Sequence, residues 1–460
     1  MLNRIACWFR GRILRRRGLN PTRIVAASFG VIILVGGLLL ALPISARDAQ
    51  ATNFLDSLFT ATSATCVTGL IPLDTWLHWS FFGQLVIIVL IQLGGLGFMT
   101  VITIFSFVLH RRIGLSERLI MVSTLNLNDM DGVVRVVRHA LIGTFALEGA
   151  GAVLLSIRFI PQFGWAGGIW RGIFHAISAF CNAGFDLMGG KFGAFTNVEG
   201  YNADPYVLGV LMCLIVVGGL GFFVWEDLVR ARSWKRLSLY SKMVLVLTGS
   251  LLLGGAAFFF FAEYANPATL GEMPFWQKLL NALFQSVTLR TAGFASFDQG
   301  GLRESSLAFS CVLMLIGGSS GSTAGGLKTV TAAVLLLGLR AGLAGREQVT
   351  FRGRAISMRR VLNAMTLALI LLFLFLVGSM TISLVDGVPY LSAAFETASA
   401  LGTVGVSAGI TPELSAFSHV ILMCMMYLGR VGVFSVSVAF MARNRGVSKI
   451  QYPNVDIMIG

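Results

Sequence analysis

The stretch LFTATSATCVTGLIPLDTW, residues 58–76, reads as a short apolar helix that runs into a Thr-Gly turn. The helical part is too short to cross a bilayer, whose hydrocarbon core requires ~20 apolar residues in helical form. Segments of the same shape recur three times downstream and end in CNAGF, RTAGF and TVGVS. We therefore expect short helices that enter the membrane and turn back.

The composition is that of an integral membrane protein. Of the 460 residues, 56% are hydrophobic and 12% are charged, and the mean hydropathy is +0.81. An average soluble domain has roughly a quarter of its residues charged. Two of the apolar windows include one charge each, Glu148 and Arg430. The windows long enough to span a bilayer are Ile24–Ala46, Thr75–Leu109, Ala140–Ile157, Pro205–Trp225, Met243–Ala262, Ser305–Leu327, Val361–Val385 and Leu414–Ala442.

The basic residues that give the net charge of +14 lie between the apolar windows rather than in one basic patch. Most Lys and Arg lie in five segments that alternate with the acidic connections, as the positive-inside rule requires of cytoplasmic segments. This distribution predicts that both termini are cytoplasmic and that nucleic acid is not a partner. The basic segments are the tail up to Arg23, Arg111–Arg138, Arg230–Lys242, Arg340–Arg360 and Arg443–Lys449.

Four similar units follow one another in the chain. The turn glycines Gly69, Gly184, Gly293 and Gly405 recur at intervals of about 110 residues. A second glycine motif follows each turn, as QLGGLGF, VVGGLGF, LIGGSSG and YLGRVGV. Each unit thus consists of a span (M1), a short re-entrant pore helix (P), a turn and a second span (M2). The predicted fold is all-α, with four like-oriented M1-P-M2 repeats around a central pore, which makes eight transmembrane helices and four pore helices.

The repeat boundaries follow from this alignment. We predict a basic cytoplasmic tail at 1–23, repeats at 24–115, 116–235, 236–345 and 346–442, and a cytoplasmic C-terminus at 443–460. The pore helices share an apolar face, and the third copy departs most. Ten residues before the glycines stand Phe59, Phe174, Leu283 and Phe395, and six before them stand Ser63, Ser178, Val287 and Ser399.

The turns have the chemistry of an ion filter. Non-helical backbone at membrane depth is tolerated only when protein buries it or when it lines a wet cavity. Carbonyls from four turns that converge on one axis can replace the hydration shell of an alkali cation. The alternative is that these glycine-rich loops only pack between helices. The predicted filter residues are Val67, Thr68, Gly69, Asn182, Ala183, Gly184, Thr291, Ala292, Gly293, Thr403, Val404 and Gly405.

Four M1-P-M2 units with one filter glycine each resemble the Trk/Ktr/HKT superfamily of potassium and sodium transport proteins. The segments LRTAGF and GSTAGGLKT are most similar to the bacterial KtrB-type pore subunits, and the resemblance covers nearly the whole chain. It implies that the chain is not an enzyme and that it lies in a bacterial plasma membrane as a multi-pass protein. Glycine at all four filter positions implies a preference for K⁺. The resemblance further implies a homodimer in contact with membrane lipids and with a KtrA-like cytoplasmic ring of RCK-type nucleotide-binding subunits.

The run from Gly317 to Thr329 predicts a break in the second span of the third repeat. It contains five glycines, each of which costs a helix about 1 kcal/mol relative to alanine. The resemblance implies an intramembrane loop that gates the pore below the filter, whereas close helix packing through small residues is the alternative. The predicted gate residues are Gly317, Gly318, Ser319, Ser320, Gly321, Ser322, Thr323, Ala324, Gly325, Gly326, Lys328 and Arg430.

Four charged residues at membrane depth carry separate hypotheses. Arg430 replaces a small residue of the glycine motif; the resemblance implies that it opposes cations in the pore, and the alternative is a pair with Glu148 or with loop carbonyls. Lys328 either sets the loop geometry or extends to the cytoplasmic interface. We expect Arg290 to support the third turn from behind, with an acid such as Glu396. Glu148 is a structural partner or a coupling site for a second cation.

The sequence therefore predicts passive potassium uptake, regulated by the cytoplasmic ring, with K⁺ as the transported ion and no organic cofactor in this chain. A sodium-coupled potassium symporter, or a transporter permeable to both Na⁺ and K⁺, is the alternative. For symport the sequence offers only Glu148 and polar filter neighbours such as Asn182. Dependence of uptake on a sodium gradient, as distinct from simple activation by sodium, distinguishes symport from the passive pore.

Overall fold

The computed structural model describes residues 21–97, 133–346 and 348–432. Several predictions fall outside these ranges: most of the basic tail, the second half of the window Thr75–Leu109, most of Arg111–Arg138 and everything after residue 432. The described chain is mostly helical. Its first half forms α1 (Pro21–Leu40), α2 (Phe54–Cys66), α3 (Thr75–His78), α4 (Phe81–Leu96), α5 (Val133–Cys181), α6 (Gly189–Phe192), α7 (Pro205–Leu220) and α8 (Phe222–Ala231).

The second half continues the same succession of long and short helices. It forms α9 (Leu239–Glu263), α10 (Phe275–Thr288), α11 (Glu304–Leu315), α12 (Thr329–Leu343), α13 (Met358–Asp386), α14 (Tyr390–Gly402) and α15 (Ala416–Val431). Short 3₁₀ helices occupy Pro43–Ser45, Glu199–Tyr201, Trp234–Arg236 and Thr411–Glu413.

The chain is not entirely α-helical, which corrects one expectation. Strands β1 (Val349–Phe351) and β2 (Arg354–Ile356) pair antiparallel within the basic segment between α12 and α13. The two residues of the connection, Arg352 and Gly353, both have positive φ, 47° and 76°. This is the backbone of the tight turns that join antiparallel strands, so two positions, one of them glycine, convert the predicted loop into a hairpin.

In the part of the chain that the structure describes, some of the predicted spans are single long helices and others are bent or broken. Within the described ranges, Arg138–Cys181, Leu239–Glu263 and Met358–Asp386 are each long and apolar enough to cross a membrane, and α7 with α8 makes a fourth if that bent pair is one span. The pair bends by 94°. Helix α5 is also interrupted at Gly164, whose φ of 74° is not helical, and so divides into two helices, the second of which is the predicted pore helix of the second repeat.

Glycine in the second motif of each repeat has two structural roles that the spacing alone did not reveal. The last glycine of the motif ends α4, α7 and α15: Gly97, Gly221 and Gly432 have φ of 77°, 90° and 90°. A residue with a side chain is strained in this conformation. The helix therefore stops at the same place in three repeats.

The first glycine of the motif packs the second span against the pore helix of its own repeat. A Cβ at Gly94, Gly218 or Gly429 would overlap the carbonyl oxygen of Thr65, Phe180 or Leu401, respectively, near the C-terminal end of the pore helix. In the third repeat, Gly317 faces the carbonyl of Gly325 instead. The pore helices themselves are buried: Phe59, Phe174 and Phe395 are fully inaccessible to solvent.

We expect Gly218→Ala to lower the free energy of unfolding by about 1–3 kcal/mol, because the methyl group overlaps backbone that cannot rotate away. The matched control is Gly209→Ala in the same helix, where no atom lies within 4 Å of the new methyl group. Thermal unfolding of the detergent-solubilised chain compares the two. Equal stabilities would contradict the close packing of α7 on the pore helix.

Candidate functional site

The pore helices end in turns that share one backbone conformation. Two residues before each glycine, a non-glycine residue adopts positive φ: Val67 at 56°, Asn182 at 61°, Thr291 at 72° and Thr403 at 52°. The glycines follow at 103°, 71°, 81° and 95° in the same order. Glycine in the turns is predicted from the sequence. The left-handed residue two positions earlier is not, because the residue types at these positions do not signal it.

The turns meet one another in chain order and close into a ring. A Cβ at Gly69 would lie 2.5 Å from the carbonyl oxygen of Ala183 in the second turn. A Cβ at Gly184 would lie 2.9 Å from the carbonyl oxygen of Ala292 in the third turn. A Cβ at Gly293 would lie 2.6 Å from the carbonyl oxygen of Val404 in the fourth turn. A Cβ at Gly405 would overlap the carbonyl oxygen of Thr68, which returns to the first turn. The structure therefore brings the glycine and the residue before it in each turn next to the neighbouring turns, and the glycines are what permits this approach.

Hydroxyl groups from the pore helices hold the turns in two ways. In the first and fourth repeats, the amides of Gly69 and Gly405 donate to the hydroxyls of Ser63 and Ser399 at 3.0 and 2.9 Å. In the second repeat, Ser178 donates instead to the carbonyl of Phe185 at 2.7 Å. The serines were predicted only as part of a shared helix face. Their hydrogen bonds depend on folding and could not be read from the spacing.

The third pore helix is offset by one residue, which corrects the predicted alignment. Thr288, not Val287, donates to the carbonyl after the turn glycine, that of Phe294, at 2.6 Å. Likewise Phe284 is fully buried, whereas Leu283 is only half-buried. Counting back from Gly293 misplaces both residues, because Thr288 lies five residues before its turn glycine, whereas Ser178 lies six residues before Gly184.

The second span of the third repeat is broken where the glycine run predicts it. Helix α11 ends at Leu315 and α12 begins at Thr329, and we call residues 316–328 the loop. Its amides at Ser319 and Thr323 donate to the carbonyls of Gly219 and Gly218, at 3.1 and 3.4 Å. The loop is therefore attached to the C-terminal end of α7, in the second repeat.

Arg430 binds the loop as well. Its guanidinium donates to the carbonyl oxygen of Thr323 in the loop and to those of Gly94 and Gly95 at the C-terminal end of α4. The C-terminal end of a helix favours a cation, because its last carbonyls lack helical partners. The structure thus agrees with the contact to loop carbonyls rather than with a pair to Glu148. A cavity of about 480 Å³ adjoins Arg430 and the loop.

The other three charged residues also have partners. Glu148, only 4% exposed, accepts hydrogen bonds at both carboxylate oxygens from Nε2 of Gln92, at 3.1 Å. Lys328 donates from Nζ to the carbonyl of Ala324 in the loop, at 2.7 Å. Arg290 donates from Nη2 to the carbonyl of Gly317, at 3.2 Å.

The expected pairing of Arg290 with Glu396 is wrong. The carboxylate of Glu396 accepts from the hydroxyls of Ser407 and Thr411, at 2.7 and 2.6 Å, and from the amide of Ala408 at 2.8 Å. These donors follow the fourth turn in the chain. Glu396 therefore supports the segment after its own turn, and the fold gives it neutral donors instead of a cation.

An acidic segment covers the second and third turns from the predicted outer face. The side-chain amide of Asn197 donates to the carbonyl of Gly184 at 3.2 Å, and its oxygen accepts from the amide of Ala295 at 3.3 Å. Two residues later, burial and the nearby carboxylates of Asp298 and Asp186 raise the pKa of Glu199 to about 7. This carboxyl therefore changes charge near neutral pH, next to the turns.

We expect the stability of the chain to fall as the pH rises from about 5 to 8, because a carboxyl whose pKa is raised by folding destabilises the fold once it ionises. Glu199→Gln should remove this part of the pH dependence. Thermal unfolding across the pH range measures it, and Glu272→Gln, an exposed acid on the same predicted face, is the control. An unchanged pH profile in Glu199→Gln would contradict the raised pKa.

Comparison with known proteins agrees with this architecture. Residues 16–447 match the family model described as TrkH, cation transport protein. The potassium/sodium uptake protein NtpJ of Enterococcus hirae is 43% identical over 97% of this chain and 98% of its own length. The Ktr system potassium uptake protein B of Bacillus subtilis is 39% identical over 96% and 97%.

A solved structure shows the same fold. The potassium transporter TrkH of Vibrio parahaemolyticus superimposes with a TM-score of 0.73 at 17% identity, over 95% of this chain and 88% of that one. The family model matches most of the chain, and both relatives align over nearly their whole length. The chain belongs to the TrkH family of cation transport proteins.

Proposed function

We propose that this protein takes up potassium through a channel-like pore whose selectivity filter is the ring of four turns. The observation that carries the proposal is the cyclic contact in which each turn glycine abuts the carbonyl before the next turn glycine. Carbonyl oxygens arranged around an axis replace the water shell of a permeating alkali cation. Relatives named as potassium and potassium/sodium uptake proteins support this choice of ion.

The ring belongs to four like-oriented M1-P-M2 repeats with the boundaries predicted from the glycine spacing. Like-oriented units can surround one axis, whereas inverted repeats are typical of transporters that alternate access to one central site. The basic segments lie on the cytoplasmic side, together with both termini. In this orientation every pore helix enters the membrane from outside, and the acidic segment with Glu199 faces the incoming cations.

The loop and Arg430 form the gate below the filter. The loop is bound on one side to Gly218 and Gly219 of the second repeat and on the other to Arg430 of the fourth, so it crosses the path between them. Arg430 is bound by neutral carbonyls, which leaves its positive charge to repel cations. Moving the loop would release the arginine from Thr323.

Sodium-coupled potassium symport is the second candidate, since one relative is named for both ions. Its proposed coupling group, Glu148, is bound at both oxygens by Gln92, which favours the structural role. Potassium uptake driven uphill by an imposed sodium gradient would establish symport. Uptake that follows only the potassium gradient would establish the passive pore.

The cytoplasmic partner is a ring of nucleotide-binding subunits, docked on a homodimer of this chain. Two relatives carry the name Ktr system potassium uptake protein B, which is consistent with a further subunit in the system. The hairpin β1–β2 presents the exposed side chains of Arg352 and Arg354, and Arg346 precedes it in the chain. These cations are suited to an acidic docking surface.

We expect Gly69→Ser to lower the K⁺/Na⁺ flux ratio and Arg430→Ala to raise K⁺ flux, measured in liposomes that contain the purified chain. The serine Cβ would meet the carbonyl of Ala183 at a φ of 103°, and so would deform the ring. Loss of the arginine charge lowers the barrier; a tenfold rise corresponds to about 1.4 kcal/mol.

Two control variants separate these effects from general damage. Gly209→Ser adds a hydroxymethyl group where no atom lies within 4 Å. Arg360→Ala removes a cation that lines the same cavity as Arg430 but is carried by α13. The pore proposal fails if Gly209→Ser lowers the K⁺/Na⁺ flux ratio as much as Gly69→Ser, or if Arg360→Ala raises K⁺ flux as much as Arg430→Ala. It fails also if neither Gly69→Ser nor Arg430→Ala alters flux, since the turns are then packing elements.

Neutralising Arg346, Arg352 and Arg354 together to Gln is expected to weaken docking of the cytoplasmic ring, because attraction between exposed charges is lost, and added salt should have the same effect on the wild type. Co-purification of the ring with the chain measures docking. The control neutralises Arg47, Lys191 and Arg303, which are exposed on the predicted outer face. Undiminished co-purification with the first triple variant would contradict the docking site.

A further inference from the structure

Arg290 connects the two ends of the loop. From its position just after pore helix α10, its Nη2 donates to the carbonyl of Gly317 and to the hydroxyl of Thr329, both at 3.2 Å. The hydroxyl of Thr329 donates in turn to the same Gly317 carbonyl, at 3.2 Å. Gly317 lies at the start of the loop and Thr329 is the first residue of α12. One side chain behind the third turn therefore binds the entry and the exit of the loop.

The backbone is also paired at this point. The amide of Gly317 donates to the carbonyl of Leu327 at 2.9 Å, and the amide of Leu327 donates to the carbonyl of Leu315 at 3.1 Å. The amide of Thr329 donates to Gly318 at 3.0 Å. The loop is thus closed at its base by a short ladder. A movement of the whole loop has to hinge beside this ladder, where Arg290 sits.

Part of the Arg290 guanidinium has no partner in the described ranges. Its Nε is buried without a hydrogen bond, and the hydroxyl of Thr248 on α9 is buried and unpartnered as well. The two side chains are each 8% exposed. An arginine stays charged in a protein, so its Nε–H is a permanent donor, and an unsatisfied buried donor is costly.

Arg290 and Thr248, the residues that carry these unpartnered groups, both line one small cavity. The cavity has a volume of about 20 Å³ and is otherwise walled by glycine backbone and apolar side chains, including Gly219, Gly318 and Val287. A cavity of at least ~10–15 Å³ holds one water when two or more polar groups face it. The acceptors already bound to the guanidinium, a carbonyl and a hydroxyl, are uncharged. An additional acceptor, neutral or anionic, therefore suits the cavity.

We propose that this cavity is a binding site for one water-sized hydrogen-bond acceptor, a water molecule or a chloride ion, that joins Nε of Arg290 to the hydroxyl of Thr248. Through it, Arg290 is a positioning residue that latches both ends of the loop to α9. The latch rests on the proposed gating role of the loop. It gives a reason for a cation behind the third filter turn that the filter chemistry itself does not require.

The first test observes the site directly. An experimental structure of the full chain, prepared once in sodium chloride and once in sodium bromide, should contain density between Arg290 Nε and Thr248 Oγ1. An anomalous bromide signal identifies a halide, and density without that signal identifies water; each supports the site. An empty cavity, or an Arg290 side chain turned to another partner, overturns the proposal.

The second test measures the latch without ion flux. Ser322→Cys, in a chain whose native cysteines are replaced, places a thiol in the loop, and its rate of modification by a membrane-impermeant thiosulfonate from the cytoplasmic side reports loop movement. Thr248→Val keeps the volume but removes the hydroxyl, so we expect the rate to rise roughly fivefold, the effect of one lost hydrogen bond. Thr248→Ser keeps the hydroxyl and should leave the rate unchanged.

The outcomes separate the latch from the gate. Equal modification rates in Thr248→Val and Thr248→Ser overturn the latch, whatever the flux measurements show. A faster rate in Thr248→Val alone supports the latch. If that faster rate is accompanied by K⁺ flux that neither Thr248→Val nor Arg430→Ala alters, the latch stands and the gating role of the loop is refuted.

Discussion

Contact between glycine backbone and the carbonyl of the next turn is the constraint on which the rest of this structure depends. The four turns approach so closely that a Cβ at any of the four glycines would crowd or overlap a neighbouring oxygen. Such an approach needs pore helices held firmly from outside. Gly94, Gly218 and Gly429 hold them by letting the second spans pack directly on the last turns of the pore helices.

The third repeat departs from this scheme at several linked positions. Its pore helix is offset by one residue, with Thr288 in the place that serine has elsewhere. Its motif glycine, Gly317, packs within the loop instead of on the pore helix. The second span of this repeat is thereby freed from the contact that the others make, and Arg290 attaches it from behind the turn. A near-symmetric scaffold with one modified quarter lets a segment differ without loosening the ring.

Four charged side chains at the predicted membrane depth form hydrogen bonds with neutral partners. Arg430 is bound by three carbonyls and Arg290 by a carbonyl and a hydroxyl, while Glu148 and Glu396 accept from amide and hydroxyl donors. Neutral partners satisfy hydrogen bonds without cancelling charge. In the proposed pore this leaves Arg430 a repulsive centre for cations, which a carboxylate in contact would remove.

The sequence by itself determined the membrane class, the short helices followed by glycine turns, the break in the glycine run from Gly317 to Thr329 and the glycines that meet in the ring. These follow from local properties, namely hydropathy, helix propensity and the need for positive φ. Only the tertiary structure decided which groups contact each other. The one-residue offset at Thr288, the bend at Gly221, the pairing of Glu148 with Gln92 and the attachment of Arg290 to the loop depend on which groups packing brings together. Spacing along the chain does not encode that.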